Sequence, residues 1–188
     1  MLPLTSAGRR WLLEVARRSL EAAGRRAACH LPEPPSGLPA ADREQLERPL
    51  AAFVSLYKEG QLRGCIGHVA ADLPLTRVVA EMTRAAALED TRFDPVSAEE
   101  VPQISVEISV LSPLFPIRPA EIVAGTHGLV VRQDERRGLL LPQVAADRHW
   151  DAEQVLRETC RKAGLPPDAW KTGATLEAFT ADIIAEGG

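Results

Sequence analysis

The sequence lacks the signatures of the common catalytic and cofactor-binding sites. None of the patterns GxxxxGK[ST], GxGxxG, HExxH, GxSxG or CxxC occurs in its 188 residues, which argues against ordinary nucleotide, dinucleotide and zinc-protease chemistry. No apolar run approaches the roughly 20 residues that a membrane span needs, and the first residues, MLPLTSAGRRW, contain no apolar signal core. We therefore expect neither a membrane protein nor an exported one.

The chain also has no excess of positive charge and only three cysteines. The formal net charge is −4, from 22 basic and 26 acidic residues, whereas a sequence-independent nucleic-acid binder normally carries a basic footprint. The only cysteines are irregularly spaced, at Cys29, Cys65 and Cys160. Without an export signal they predict reduced thiols in the cytoplasm. The apolar fraction of 45% nevertheless supplies a normal core, and the length predicts a single domain over residues 1–188.

The order of the predicted elements indicates an α+β fold. Helical spacing predicts helices over 5–29, 72–90 and 151–164, and alternation predicts hairpins over 49–69 and 127–141 and strands over 104–110 and 176–184. The proline-rich stretch 31–40 predicts a rigid loop. Because strands and helices do not alternate regularly, we expect a mainly antiparallel sheet with helices packed on one face.

The most unusual local sequence is Arg63-Gly64-Cys65-Ile66-Gly67-His68, in the second strand of the first hairpin. Glycine weakens a strand, so it indicates a bulge, a bend or a close approach to the backbone. A nearby arginine can favour a thiolate, which makes Cys65 a candidate reactive or substrate-contacting thiol. Alternatively, Cys65 is a small buried hydrophobe where two elements pack closely.

Cys65 and His68 also form a C-x-x-H half-site. Zinc needs three or four ligands, and the sequence contains no second paired half-site. Residues at i and i+3 of a regular strand point to opposite faces. We therefore predict no metal site, and no cofactor is indicated.

Other polar residues are open to two interpretations each. Glu107 lies on the polar face of the clearest strand, where it is either a solvated residue or an acid or base lining a cleft. Asp90 and Arg92 form either a locally ion-paired helix end or the polar rim of a pocket. His127, between glycine-containing turns, is either a proton carrier or a turn residue that bonds to the backbone.

Several segments together resemble the AMMECR domain family, whose bacterial and archaeal members are called protein A of the AmmeMemoRadiSam system. The matching blocks follow one another through nearly the whole chain after the first helix. They are 52–56 (AFVSL), 62–67 (LRGCIG), 85–93 (AAALEDTRF), 106–112 (VEISVLS), 125–129 (GTHGL), 138–144 (GLLLPQV) and 160–165 (CRKAGL) with Trp170.

The resemblance implies an α+β domain with a larger and a smaller lobe. The system name reflects association with a Memo-type protein, which resembles extradiol dioxygenases, and with a radical S-adenosylmethionine protein. The resemblance therefore implies that this chain is one component of a modification or redox pathway, with those two proteins as partners.

Two hypotheses follow. In the first, the chain is a cytoplasmic partner or substrate-binding component that holds a small molecule or peptide for the Memo-like and radical proteins. In the alternative, it is an enzyme that uses Cys65 as a nucleophile or covalent carrier. The candidate catalytic residues are Cys65, Glu107 and His127, and the candidate substrate-binding residues are Arg63, Gly64, Gly67, Asp90 and Arg92.

Overall fold

A computed structural model describes residues 4–187. Its helices are α1 (Ser6–Gly24), α2 (Ala40–Glu47), α3 (Leu75–Leu88), α4 (Pro142–Asp147) and α5 (Ala152–Lys162). Its strands are β1 (Ala52–Lys58), β2 (Gln61–His68), β3 (Ile104–Leu111), β4 (Phe115–Pro116), β5 (Gly128–Gln133), β6 (Arg136–Leu140), β7 (Thr175–Phe179) and β8 (Ala181–Ala185). Helices and strands are not regularly alternated, so the predicted α+β class is confirmed.

The strands form two four-stranded sheets, with the orders β2-β1-β3-β8 and β4-β7-β5-β6. Strand β1 pairs antiparallel with both β2 and β3, and β5 pairs antiparallel with both β6 and β7. The described residues correspondingly divide into a larger unit, 4–110 with 182–187, and a smaller unit, 111–181. Each sheet supplies the framework of one unit.

The core of the larger unit lies between its sheet and the helices α1 and α3. Thr5 caps α1 by accepting hydrogen bonds from the backbone of the first turn. Leu12 and Val15 of α1 and Val78 of α3 are fully buried against the sheet residue Val54. This packing uses one face of the sheet and leaves the alternate residues of β1 and β3 on the other face.

The β1–β2 hairpin turns at two residues with positive φ, Glu59 (52°) and Gly60 (76°). A two-residue turn with positive φ at both positions matches the right-handed twist of antiparallel strands, and glycine adopts such a φ without a steric cost. The predicted hairpin over 49–69 is therefore present, with its turn at 59–60.

The smaller unit packs α5 onto β5 and β6. Val155, Leu156 and Cys160 of α5 form a buried cluster with Leu129 and Leu140. Asp151 caps the helix through a reciprocal capping box with Gln154. The thiol of Cys160 is fully buried, and burial raises its pKa.

Some element boundaries differ from the predictions. Helix α1 ends at Gly24 instead of near residue 29, because Arg26 turns to a φ of 55° and the Ala27 N–H bonds back to the carbonyl of Ala22. The short helices α2 and α4 were not predicted, since each spans at most eight residues. The predicted strand 176–184 is two strands, and it is interrupted at Thr180 so that β7 and β8 join different sheets.

No helix in the described part of the chain combines the length and the apolar character that crossing a bilayer requires.

We predict that Gly138→Ala destabilises the protein. A Cβ at Gly138 would lie 2.5 Å from the Thr159 carbonyl oxygen and 2.5 Å from the Ala163 amide nitrogen, so the backbone of α5 and its C-terminal cap would have to move. Overpacking of this kind costs about 1–3 kcal/mol, measurable as a lower free energy of unfolding in urea. The control is Gly37→Ala, where a Cβ would meet nothing within 4 Å. An equal loss in both variants would contradict the packing argument.

Candidate functional site

The position of Cys65 is set by a β-bulge in strand β2. The pairing of β1 with β2 shifts register by one residue, which leaves Arg63 as the extra residue. An uninterrupted hairpin would pair Cys65 with Val54, whose side chain is buried in the core. The bulge instead pairs Cys65 with Ser55, so its side chain lies on the sheet face opposite α1 and α3.

A row of three polar side chains crosses the sheet on that face. Ser55 in β1 pairs with Cys65 in β2 on one side and with Glu107 in β3 on the other. Paired residues on neighbouring strands point to the same face. The structure therefore brings the candidates Cys65 and Glu107 into one row, with Ser55 between them.

The Ser55 hydroxyl donates a hydrogen bond to the Cys65 sulfur at 3.2 Å. Ser55 is only 7% exposed, whereas Cys65 is half-buried. The sequence did not suggest Ser55, because its contact with Cys65 depends on the bulge.

Asp90 holds the backbone of Cys65 from the end of α3. The Cys65 N–H donates to Asp90 Oδ2 at 2.8 Å, and Arg92 donates to the same carboxylate through Nε at 2.8 Å and Nη2 at 2.6 Å. The Arg92 hydrogen bonds lower the pKa of Asp90 far below its ordinary value, and the Cys65 N–H adds to that effect while burial opposes it. Asp90 is therefore a fixed carboxylate at neutral pH.

Strand β2 is at the edge of its sheet, and Asp90 and Arg92 cover that edge beside Cys65. Arg92 Nη2 donates to the Cys65 carbonyl at 3.4 Å, so both backbone groups of Cys65 have side-chain partners. An open strand edge would otherwise offer these groups to another strand. The Arg92 guanidinium also lies 5.5 Å from the ring centroid of Phe93.

Glu100 fixes the bulged residue. Arg63 donates to Glu100 through Nε at 3.2 Å and through Nη2 at 3.0 Å, and Lys58 Nζ donates to it at 3.1 Å. These hydrogen bonds, led by those from Arg63, lower the pKa of Glu100 to about 2. Sequence reasoning did not find Glu100, which lies in a turn before β3 without a periodic pattern.

The two glycines that were candidate substrate-binding residues, Gly64 and Gly67, each allow another part of the chain to approach β2 closely. A Cβ at Gly64 would lie 2.2 Å from the carbonyl oxygen of Ala86 in α3, and a Cβ at Gly67 would lie 2.2 Å from the ring of Phe53, both too close for a real contact. Gly64 therefore lets α3 lie directly on the strand, and Gly67 lets an aromatic ring cover it. Both have a packing reason, and their predicted contact with a substrate remains a prediction.

His127 belongs to the smaller unit. Its Nδ1 accepts a hydrogen bond from the Val123 N–H at 3.1 Å, and its ring meets the edge of Phe115 with 5.9 Å between centroids. This is the geometry of the turn interpretation, in which the histidine bonds to the backbone. Its role as a proton carrier remains a prediction.

His68 and Cys65 lie on opposite faces of β2. His68 pairs with the core residue Ala52, and its Nε2 lies 2.5 Å from an oxygen of Asp72. Within residues 4–187, no group of three or more His, Cys, Asp and Glu side chains is arranged to hold a metal ion.

The protein is therefore a two-unit α+β protein in which Cys65, Ser55 and Glu107 form a row beside a bulged edge strand. Comparison with known proteins then identifies the family: residues 13–184 match the AMMECR1 family model, and the chain belongs to that family. The predicted family resemblance is confirmed.

The chain is similar to archaeal proteins over most of its length. A protein of Methanothermobacter thermautotrophicus is 46% identical over 144 residues, covering 72% of this chain and 75% of that protein. A protein of Thermococcus gammatolerans is 39% identical over 188 residues, covering 94% and 89%. The crystal structure of the uncharacterized protein PH0010 from Pyrococcus horikoshii matches with a TM-score of 0.86 at 35% identity, covering 98% of this chain and 94% of that one.

We predict that Glu100→Gln destabilises the protein in a pH-dependent way. Loss of the charged pair with Arg63, whose side chain is 16% exposed, should cost about 1–2 kcal/mol at pH 7. Because the folded-state pKa of Glu100 is about 2, below its ordinary value of 4.5, its contribution is fully present above about pH 4.5. The difference in the free energy of unfolding between the two proteins should shrink as pH falls from there toward 2.

The matched control is Glu44→Gln, an exposed carboxylate on α2. Urea denaturation of all three proteins across this pH range measures the effect. A Glu100→Gln difference that stays constant down to pH 2 would contradict the assigned ion pair.

Proposed function

We propose that this chain is a ligand-binding component of a modification or redox system, and that the face bearing Cys65, Ser55 and Glu107 receives the substrate or a partner. The proposed partners are a Memo-type protein and a radical S-adenosylmethionine protein. The proposed ligand at this face is a small molecule or a peptide. Membership of the AMMECR1 family supports the choice of partners.

One observation carries the proposal: the charged side chains around Cys65 are paired with one another. Asp90 accepts from Arg92 and from the Cys65 backbone, and Arg63 is bidentate on Glu100. These pairs hold the strand in one conformation. A surface that is already ordered loses less entropy when a ligand binds, which favours recognition.

The charge pairing also bears on catalysis. A general base must be able to accept a proton near the working pH, and the hydrogen bonds on Asp90 and Glu100 hold their pKa values well below that range. The Cys65 sulfur accepts a hydrogen bond from the Ser55 hydroxyl, which is a poor base. This arrangement supports a binding role more directly than a catalytic role.

A second candidate function rests on the sulfur itself. Cys65 is half-buried, not sealed, and Ser55 donates to its sulfur at 3.2 Å. In this alternative, the Cys65 sulfur adds to a carbonyl carbon of the substrate, and the electron pair of the C=O double bond moves to the oxygen. Arg63 would stabilise the negative charge on that oxygen, and Glu107 would accept the thiol proton.

The binding proposal predicts that Leu62→Glu weakens association with the partner proteins. Leu62 pairs with Tyr57 on the same face as the row and is 38% exposed, so the change adds a charge to the proposed surface with little effect on folding. We expect the dissociation constant for the purified Memo-type or radical protein of the same organism to rise about ten-fold or more. Isothermal titration calorimetry measures it.

The matched control is Val123→Glu, because Val123 is also an exposed apolar residue, at 54%, and lies in the smaller unit, outside the row. Its affinity should equal that of the unchanged protein. The proposal is wrong if neither partner associates at micromolar concentration, or if both variants lose affinity equally.

The enzymatic alternative predicts that Cys65 reacts with iodoacetamide in the folded protein. In a Cys29→Ser background, Cys65 should be alkylated while the fully buried Cys160 is not. Ser55→Ala should slow the reaction about two- to ten-fold, since one hydrogen bond to the sulfur is lost. Mass spectrometry after timed quenching, repeated across pH, gives the rates. A Cys65 that stays inert until the protein unfolds would exclude this alternative.

A further inference from the structure

A second candidate site lies on the larger unit, away from the residues described above. An open cavity of about 450 Å³ is lined by the segment that follows α1 and by the outer face of α3. The lining residues are Arg26, Ala27, Ala28, Cys29, Leu31, Arg77, Ala80, Glu81 and Arg84. None of them belongs to the Cys65 row or to its ion pairs.

The cavity combines an apolar wall with a cationic rim. Alanines and Leu31 supply the wall, while the rim carries three arginines and one acid, Glu81. Residues 77, 80, 81 and 84 recur at helical spacing, so they share one face of α3. The net charge of the lining is therefore positive, although the whole chain carries −4.

The arginines keep free donors for a ligand. Arg77 uses Nε to reach Glu81 at 2.7 Å, and both side chains are well exposed, which makes the pair weak. Arg26 uses one Nη to reach the Ala23 carbonyl at 3.3 Å. The Arg84 side chain makes no hydrogen bond or ion pair with any part of the chain that the structure describes. A guanidinium has five N–H donors, so most of them remain available.

The backbone at Arg26 is unusual. Arg26 has a φ of 55° and closes a Schellman motif, with its own N–H bonded to the Ala23 carbonyl and the Ala27 N–H bonded to the Ala22 carbonyl. Glycine is the residue most often found at this position, because a Cβ is disfavoured at such a φ. Here the position carries a long cationic side chain that lines the cavity.

We propose that this cavity binds an organic anion with an apolar body, such as an aromatic sulfonate or carboxylate. The apolar body would lie on the alanine and Leu31 wall, and the guanidinium groups would hold the anionic end through charge-assisted hydrogen bonds. The volume lies within the roughly 300–1,000 Å³ of small-molecule sites. This site goes beyond the proposed function, since it requires neither Cys65 nor a partner protein.

The test uses 8-anilinonaphthalene-1-sulfonate, whose fluorescence reports binding. We expect one saturable site per chain. Arg84→Ala should raise the dissociation constant about ten-fold, and higher salt should do the same progressively. The neutral analogue N-phenyl-1-naphthylamine, which lacks the sulfonate, should bind more weakly and should not respond to Arg84→Ala. The matched control is Arg157→Ala on α5, which removes an equal charge from an exposed arginine of the smaller unit.

Arg26→Gly separates binding from folding. Glycine is favoured at a φ of 55°, so this variant should unfold at the same or a higher temperature while it binds the sulfonate more weakly. Bound sulfonate should also protect Cys29, which lines the cavity, from N-ethylmaleimide in a Cys65→Ser background. The proposal is overturned if no saturable binding occurs below about 1 mM, if Arg84→Ala and Arg157→Ala have equal effects, or if Cys29 reacts equally fast with and without the sulfonate.

Discussion

The candidate site depends on one extra residue in strand β2. With a regular hairpin, Cys65 would lie beside Val54 in the core, where a thiol is simply a small apolar group. The bulge at Arg63 turns it to the opposite face, next to Ser55. The bidentate pair of Arg63 with Glu100 holds that extra residue in place. This ion pair therefore affects the site by fixing the register of β2, which determines the face on which Cys65 lies.

Helix α3 connects the bulged strand to the rest of the larger unit. Its carbonyl at Ala86 occupies the space that a side chain at Gly64 would need, so strand and helix can touch at this point. The chain that leaves the helix brings Asp90 to the Cys65 N–H, and Asp90 in turn orients Arg92 toward the Cys65 carbonyl. Helix α3 thus packs against one face of β2, and the segment that follows it covers the exposed edge of that strand.

The sequence predicted the elements better than the contacts between them. The glycines around Cys65 indicated a bulge, a bend or a close approach, and the structure contains both a bulge and a close approach beside Gly64. Ser55 could not be assigned to Cys65, because a shift of one residue changes which side chains share a face. Glu100 lies in a turn, where the sequence has no helical or strand periodicity that would identify it as the partner of Arg63. The break at Thr180 divides an apolar run between two sheets, a choice set by tertiary packing.

The groups around Cys65 meet the requirements of a binding role more fully than those of a catalytic role. The carboxylates of Asp90 and Glu100 are held in the charged form by several donors, so neither is suited to exchanging protons near neutral pH. The Ser55 hydroxyl donates a hydrogen bond to the sulfur, and a hydroxyl is a poor base. Recognition of a ligand on this face needs no further group. Covalent chemistry at Cys65 would need a proton acceptor from another element of the chain, from the ligand or from a partner.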